Sequence, residues 1–143
     1  MYLARDIMTK GVVAISWQTT ASDAIRILLE NNISGAPVVD DDGTVIGIIS
    51  EFKLMSAVFD PGIKRTSITQ IMSTDVIYVT EFTGIDEVAR IFQTHRIRRV
   101  PVLRNRKVVG VVSRPDLLRF MQEDNFEACA RLLKASQLVR QRL

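Results

Sequence analysis

The stretch Ala36-Pro37-Val38-Val39-Asp40-Asp41-Asp42-Gly43-Thr44-Val45-Ile46-Gly47-Ile48-Ile49-Ser50 decides the fold, because it occurs twice. Its second copy is Val100-Pro101-Val102-Leu103-Arg104-Asn105-Arg106-Lys107-Val108-Val109-Gly110-Val111-Val112-Ser113. Two short β-branched runs around a turn read as a hairpin, with Asp42-Gly43 as the turn signal in the first copy. The first run recurs at an offset of 64 residues and the second at 63, so the missing residue falls in the turn. A deletion absorbed there leaves the inward and outward alternation of both strands intact.

Working outward, the duplication extends beyond the hairpins: Asp6-Ile7-Met8 returns as Gln70-Ile71-Met72 at the same offset of 64. Each copy begins with a short Val-rich strand, at residues 12–15 and 76–79. The first is followed by Thr20-x-x-Asp23, which reads as a helix start with Thr20 capping and Asp23 as its acidic partner. That helix runs to about Asn31, with Ala24, Ile25, Leu28 and Leu29 on one side. Its counterpart spans about residues 84–94. After each hairpin a second helix is expected: one from Glu51 that includes Leu54, Met55 and Val58, the other over residues 115–121. Each repeat is thus strand, helix, strand, strand, helix. One such layer makes a thin core, and two packed together bury a common sheet face.

The expected architecture is therefore mixed α/β, α+β-like: two tandem repeats related by a pseudo-two-fold, each a small, mostly three-stranded sheet with two helices. Repeat one covers residues 1–59 and repeat two residues 68–121. Asp60-Pro61-Gly62 and the residues through Ser67 carry turn signals and form a linker. Residues 122–143 read as a helical tail with Phe126, Ala130, Leu133 and Leu138 on about one side, suited to packing on its own module or on a dimer mate.

Composition excludes several classes of function. The one cysteine, Cys129, and the one histidine, His95, rule out an intrachain disulfide, a Cys-x-x-Cys redox centre and most zinc sites. No nucleophile, base and orienting residue stand in a recognisable catalytic arrangement, so no enzyme is expected. No apolar run approaches the ~20 residues that span a bilayer, and the expectation is a cytoplasmic protein without a membrane partner. The formal charge is +3, divided unevenly: residues 1–57 carry a net −3 and residues 58–143 a net +6. The densest basic run is Arg96-Ile97-Arg98-Arg99, yet no helix-turn-helix or aromatic platform accompanies it, and nucleic acid is not expected as a partner.

The motifs Asp6-Ile7-Met8, Ile33-Ser34-Gly35-Ala36-Pro37-Val38-Val39-Asp40, Gly47-Ile48-Ile49-Ser50, Ile97-Arg98-Arg99-Val100-Pro101-Val102 and Gly110-Val111-Val112-Ser113-Arg114-Pro115-Asp116-Leu117 together resemble tandem CBS domains, a pair often called a Bateman module. The resemblance covers about residues 3–121. It implies a non-catalytic sensor that binds an adenosine-containing ligand, such as AMP, ADP, ATP or S-adenosylmethionine, in a cleft between the repeats. It further implies regulation of an effector protein, recruited in trans by a stand-alone module, and a homodimer formed through helices. No cofactor is required; the ligand is regulatory.

Two readings stand side by side for each candidate site residue. Ser113-x-x-Asp116 at a helix start is either a capping box or a ligand site in which helix N–H groups and Ser113 meet phosphate while Asp116 accepts from a ribose diol. The resemblance favours the second and adds Pro115. Arg98 and Arg99 are either a solvated basic run or, as the resemblance implies, phosphate contacts; strand alternation expects one to face the cleft and the other away. Val12, Val13, Ile33, Ser34 and Gly35 correspond to the family's base-contacting positions, with core packing as the alternative for Val12, Val13 and Ile33. In the pseudo-equivalent cleft Lys53 replaces Asp116, and an ammonium cannot accept from a ribose hydroxyl. One competent site per chain is expected, the second cleft being empty or anion-holding.

Overall fold

The computed structural model describes residues 2–123. In chain order the elements are α1 (Ala4–Ile7), β1 (Ile15–Ser16), α2 (Ala21–Glu30), β2 (Gly35–Val39), β3 (Val45–Ser50), α3 (Glu51–Met55), α4 (Ile85–Thr94), β4 (Arg99–Arg104), β5 (Lys107–Ser113) and α5 (Arg114–Gln122). Two 3₁₀ turns, Ile63–Arg65 and Ile68–Gln70, lie between α3 and α4. The helical tail expected over residues 122–143 falls outside the described residues beyond Glu123, and Cys129 with it.

Both hairpins form with equivalent registers. Val38 faces Gly47 and Val39 faces Val45; Val102 faces Gly110 and Leu103 faces Val108. Each therefore carries a bulge at the corresponding place, at Ile46 and at Val109, which sharpens the local twist. The shorter turn of the second hairpin places Asn105 and Arg106 at φ +52° and +65°, the left-handed pair that a two-residue connection demands. The first hairpin uses Gly43 at φ +82° instead.

The leading strands are shorter than expected. β1 pairs in parallel with β2 only through Ile15 with Val38 and Ser16 with Val39. Its counterpart reduces to one parallel bridge between Val79 and Val102. The first sheet thus has three strands in the order β1-β2-β3, and the second has β4-β5 with that bridge alongside. Val12 and Val13 lie beyond the paired length. α3 also stops early: Ser56 caps it, and Val58 lies in the turn leading to Asp60, where Pro61 opposes helical backbone in the residue before it. Thr20 caps α2 by accepting from the Asp23 N–H, without the reciprocal half of a box.

The repeats exchange their leading segments. Ala4, Ile7 and Met8 pack with Val79, Val88, Val100, Val102 and Val112, while Ile68, Ile71 and Met72 pack with Ile15, Ala24, Leu28, Val38 and Ile49. Hydrogen bonds follow the same symmetry. Thr9 exchanges two backbone bonds with Val111, and Ser73 two with Ile48. Bridges join Leu3 to Gly84 and Thr20 to Ser67. One edge of each sheet, β3 in the first and β5 in the second, is thereby bridged by a segment from the other repeat, which joins the two cores. The recurring glycines allow this approach: a Cβ on Gly47 would fall 2.5 Å from Met72 Sδ, and one on Gly110 2.6 Å from Met8 Sδ. Tyr2 packs edge-on against Phe120, their ring centroids 5.1 Å apart, and seals α5 to the exchanged N-terminal segment.

Ion pairs hold the periphery. Arg104 forks onto Glu81 at 2.6 and 2.8 Å, and that bond keeps the Glu81 carboxyl below its ordinary value. This contribution is present above the unfolded carboxylate's pKa and fades as pH falls through the lowered one. The Trp17 indole N–H donates to Asp41 at 3.0 Å, pinning the first hairpin turn.

Candidate functional site

Between the two exchanged cores lies a cavity of about 650 Å³. Its wall from the second half consists of Arg96, Ile97, Arg98, Arg99, Pro101 and Val111, with Thr9, Lys10 and Gly11 from the exchanged segment. The facing wall comes from Ile33, Ser34, Gly35, Ser50, Glu51, Phe52 and Met55, and Val12 and Val13 also line the space. Gly11, at φ +74°, turns the chain from the edge of β5 into this lining.

Of the residues singled out in the sequence, Val12, Val13, Ile33, Ser34, Gly35, Arg98 and Arg99 are brought together here, while Ser113, Pro115 and Asp116 do not line the cavity. Arg98 and Arg99 both do, although alternation would have separated them. Arg98 sits at a bend before β4 begins at Arg99, so the strand rule does not reach it. Ile33 serves both purposes, lining the cavity and packing against the first core.

The start of α5 is a complete capping box. Asp116 is only 8% exposed. Its Oδ2 accepts from the Ser113 N–H at 2.8 Å, and the Asp116 N–H donates to Ser113 Oγ at 3.2 Å. Arg119 donates to Asp116 Oδ1 at 2.6 Å, and the Thr9 hydroxyl lies 3.5 Å from the same oxygen. The Arg114 N–H donates to the Arg98 carbonyl at 3.1 Å, and Pro115 has no N–H. Every backbone donor at the cap and first three helical positions is therefore committed or missing, and none is left for phosphate. Among the described residues, Thr9 is the hydrogen-bond partner of Asp116 that lines the cavity.

α3 starts in the same way but without the box. Ser50 Oγ accepts from the Lys53 N–H, and the Glu51 N–H donates to the Ser34 carbonyl at 2.9 Å. Lys53 is exposed and does not line the cavity.

Sequence reasoning passed over Thr9, Lys10, Arg96, Glu51, Phe52 and Met55. The available signal was the polar Thr9-Lys10-Gly11 placed between two apolar motifs, but its position depends on the exchange. The charged lining is lopsided: Lys10, Arg96, Arg98 and Arg99 against Glu51 alone. The arrangement offers cations to an anionic group on one side and an apolar surface of Val12, Val13, Ile33, Phe52 and Met55 to a ring system.

Among the described residues no helix is long and apolar enough to cross a membrane. The family model for the CBS domain matches residues 4–60 and 68–123. Hypoxic response protein 1 of Mycobacterium tuberculosis is 28% identical over 127 residues, which cover 86% of this chain and 87% of that protein. A crystal structure of the CBS domain pair of protein MJ0100, in complex with 5′-methylthioadenosine and S-adenosyl-L-methionine, superposes with a TM-score of 0.74 at 30% identity, covering 85% of this chain and 96% of that one. CBSX2 of Arabidopsis thaliana in complex with AMP superposes with a TM-score of 0.76 at 26% identity, covering 84% and 96%. The chain also spans 31% and 43% of the lengths of two curated Methanocaldococcus jannaschii relatives, at 29% and 28% identity.

Proposed function

The chain belongs to the CBS domain family as a tandem pair, and from that premise we propose that it is a non-catalytic regulatory module whose inter-repeat cavity takes an adenosine-containing ligand. The observation that carries this reading is the 650 Å³ cavity, with its arginines on one wall and apolar side chains on the other. Such a lining matches a molecule with a flat apolar ring at one end and a charged group at the other. MJ0100 is crystallised with 5′-methylthioadenosine and S-adenosyl-L-methionine and CBSX2 with AMP, all adenosine compounds, of which AMP has a ring at one end and an anionic group at the other. Ligand occupancy bridges the two walls, so it stiffens one repeat against the other, and an effector protein in trans reads that change.

Thermal shift tests the reading with adenosine, AMP, ADP, ATP, 5′-methylthioadenosine, S-adenosylmethionine and a short DNA duplex. A ligand at 100 times its Kd stabilises the native state by about 2.7 kcal/mol, a readily measured rise in Tm. A rise with adenosine compounds and none with DNA is expected. No response to any adenosine compound overturns the proposal.

One observation favours a second reading, a structural or protein-interaction module with vestigial clefts: the Asp116 carboxylate is already held by Ser113 and Arg119. The same panel separates the two, since a vestigial cleft leaves Tm unchanged throughout.

The proposal includes a homodimer. Leu29, Leu118 and Met121 are exposed apolar side chains on helices, and Val58 and Phe59, after α3, add further exposed apolar surface. A second copy covering it removes apolar area from water. Light scattering is expected to give twice the 16.1 kDa chain mass; a monomeric mass at tens of micromolar rejects the dimer.

A further inference from the structure

Lys10 adds its charge to the field at Glu81 and Arg96 has no part in the capping, pairing or core packing described above, yet both line the cavity beside Arg98 and Arg99. Among the described residues, none of the four cavity cations lies within 4.0 Å of a carboxylate; surface cations such as Lys53, Arg106 and Lys107 share that state, and what sets the four apart is that they converge on one cavity. The repeat-equivalent positions contribute no positive charge: the counterparts of Lys10, Arg96, Arg98 and Arg99 are Thr74, Asn32, Ser34 and Gly35, and the lining outside that wall holds no Lys or Arg. The excess positive charge is therefore confined to one wall.

Its spread across that wall is also informative. Thr9 is bridged to Val111, and Val111 pairs with Pro101, two residues along β4 from Arg99. Lys10 thus belongs to a segment two inter-strand spacings from β4, roughly 10 Å away. Cations distributed over that width, on flexible side chains, match several phosphates in a row better than one. A ligand with net positive charge meets the opposite electrostatics, because like charges brought together in a partly desolvated cleft repel.

We infer that Lys10 and Arg96 form a phosphate-chain subsite continuing from Arg98 and Arg99, which makes the ligand a nucleoside di- or triphosphate and disfavours S-adenosylmethionine. The inference rests on the proposed adenosine-binding function and narrows its ligand class. Arg98 and Arg99 hold the phosphate nearest the nucleoside, and Lys10 and Arg96 meet the outer ones. Arginine forks and a mobile ammonium are both suited to that task.

Calorimetry at one fixed ionic strength tests this on the intact chain with adenosine, AMP, ADP, ATP, S-adenosylmethionine and inorganic tripolyphosphate. Affinity is expected to rise about ten-fold from AMP to ADP, the effect of one charge-assisted contact. S-adenosylmethionine is expected to bind more weakly than AMP, and tripolyphosphate more weakly than ATP. Lys10→Ala and Arg96→Ala, both at exposed positions, should erase the gain from AMP to ADP, weaken AMP less than ADP, and leave adenosine, which carries no phosphate, within about two-fold of wild type. Equal affinity for AMP and ADP, S-adenosylmethionine binding as tightly as ADP, or wild-type ADP affinity in both variants overturns the subsite. Tripolyphosphate binding as tightly as ATP overturns the nucleoside part. Adenosine separates the two levels: if adenosine binds and the phosphate increments are absent, the subsite alone fails, and if no adenosine compound binds, the underlying reading fails with it.

Discussion

Ile68→Ala is expected to lower stability by about 2 to 5 kcal/mol, the cost of a cavity in a well-packed core. Ile68 is fully buried, although it stands at the start of the second copy in sequence. Its side chain packs with Ile15, Ala24, Leu28 and Val38 of the first half, and its N–H donates to the Thr19 carbonyl at 3.0 Å. The damage should therefore appear in the first core. Hydrogen exchange should show lost protection in α2 and β3 before α4 and β5. Loss confined to the second half, or a change in stability below about 1 kcal/mol, rejects the exchanged arrangement. Gly47→Ala tests the same junction from the other side. The new methyl would meet not only Met72 Sδ but the Ser73 carbonyl oxygen at 2.9 Å. A thioether can rotate away; a carbonyl held by the Ile48 N–H cannot do so without breaking that bond. At Gly110 the contacts are all with the Met8 side chain. Gly47→Ala should accordingly cost more than Gly110→Ala, within the overpacking range of about 1 to 3 kcal/mol.

Arg98→Ala should weaken AMP by about ten- to a hundred-fold, the equivalent of roughly 1.5 to 3 kcal/mol for a charge-assisted hydrogen bond, and change adenosine affinity little. Only AMP carries the phosphate, so the ratio of the two penalties isolates that contact. The apo fold should be nearly unaffected, because Arg98 is exposed and its carbonyl, which accepts from the Arg114 N–H, remains. Arg99→Ala should now show a phosphate penalty as well, since both arginines line the cavity. Asp116→Ala behaves differently. It removes a capping box and the Arg119 pair, so apo stability should fall by about 0.5 to 2 kcal/mol. If Asp116 also accepts from the ribose, adenosine and AMP should weaken alike. Equal penalties for adenosine and AMP in Arg98→Ala would refute its phosphate role.

What could be read from the residues alone is local. The two hairpins, the caps Thr20 and Ser113, and the span of α4 depend on neighbours a few positions away. Alternation, turn chemistry and helix starts report such short-range preferences directly. The repeat offset of 64, dropping to 63 past the turn, already implied two equivalent units, and the same bulge in both hairpins follows from that equivalence.

Tertiary structure alone decided which edge each leading segment occupies. Met8 against Gly110 and Met72 against Gly47 are contacts between residues that no local preference links. A segment pairs with whichever open edge the folded chain presents, and two near-identical edges look the same in sequence. That choice carried Lys10 to the cavity wall and brought Thr9 within reach of Asp116. It also fixed the fate of the α5 start: the Arg114 N–H, free in any local reading, is taken by the Arg98 carbonyl sixteen residues earlier. Helix periodicity announces where a donor will stand, but only the packed chain determines whether that donor is still unspent, because its partner comes from a different element.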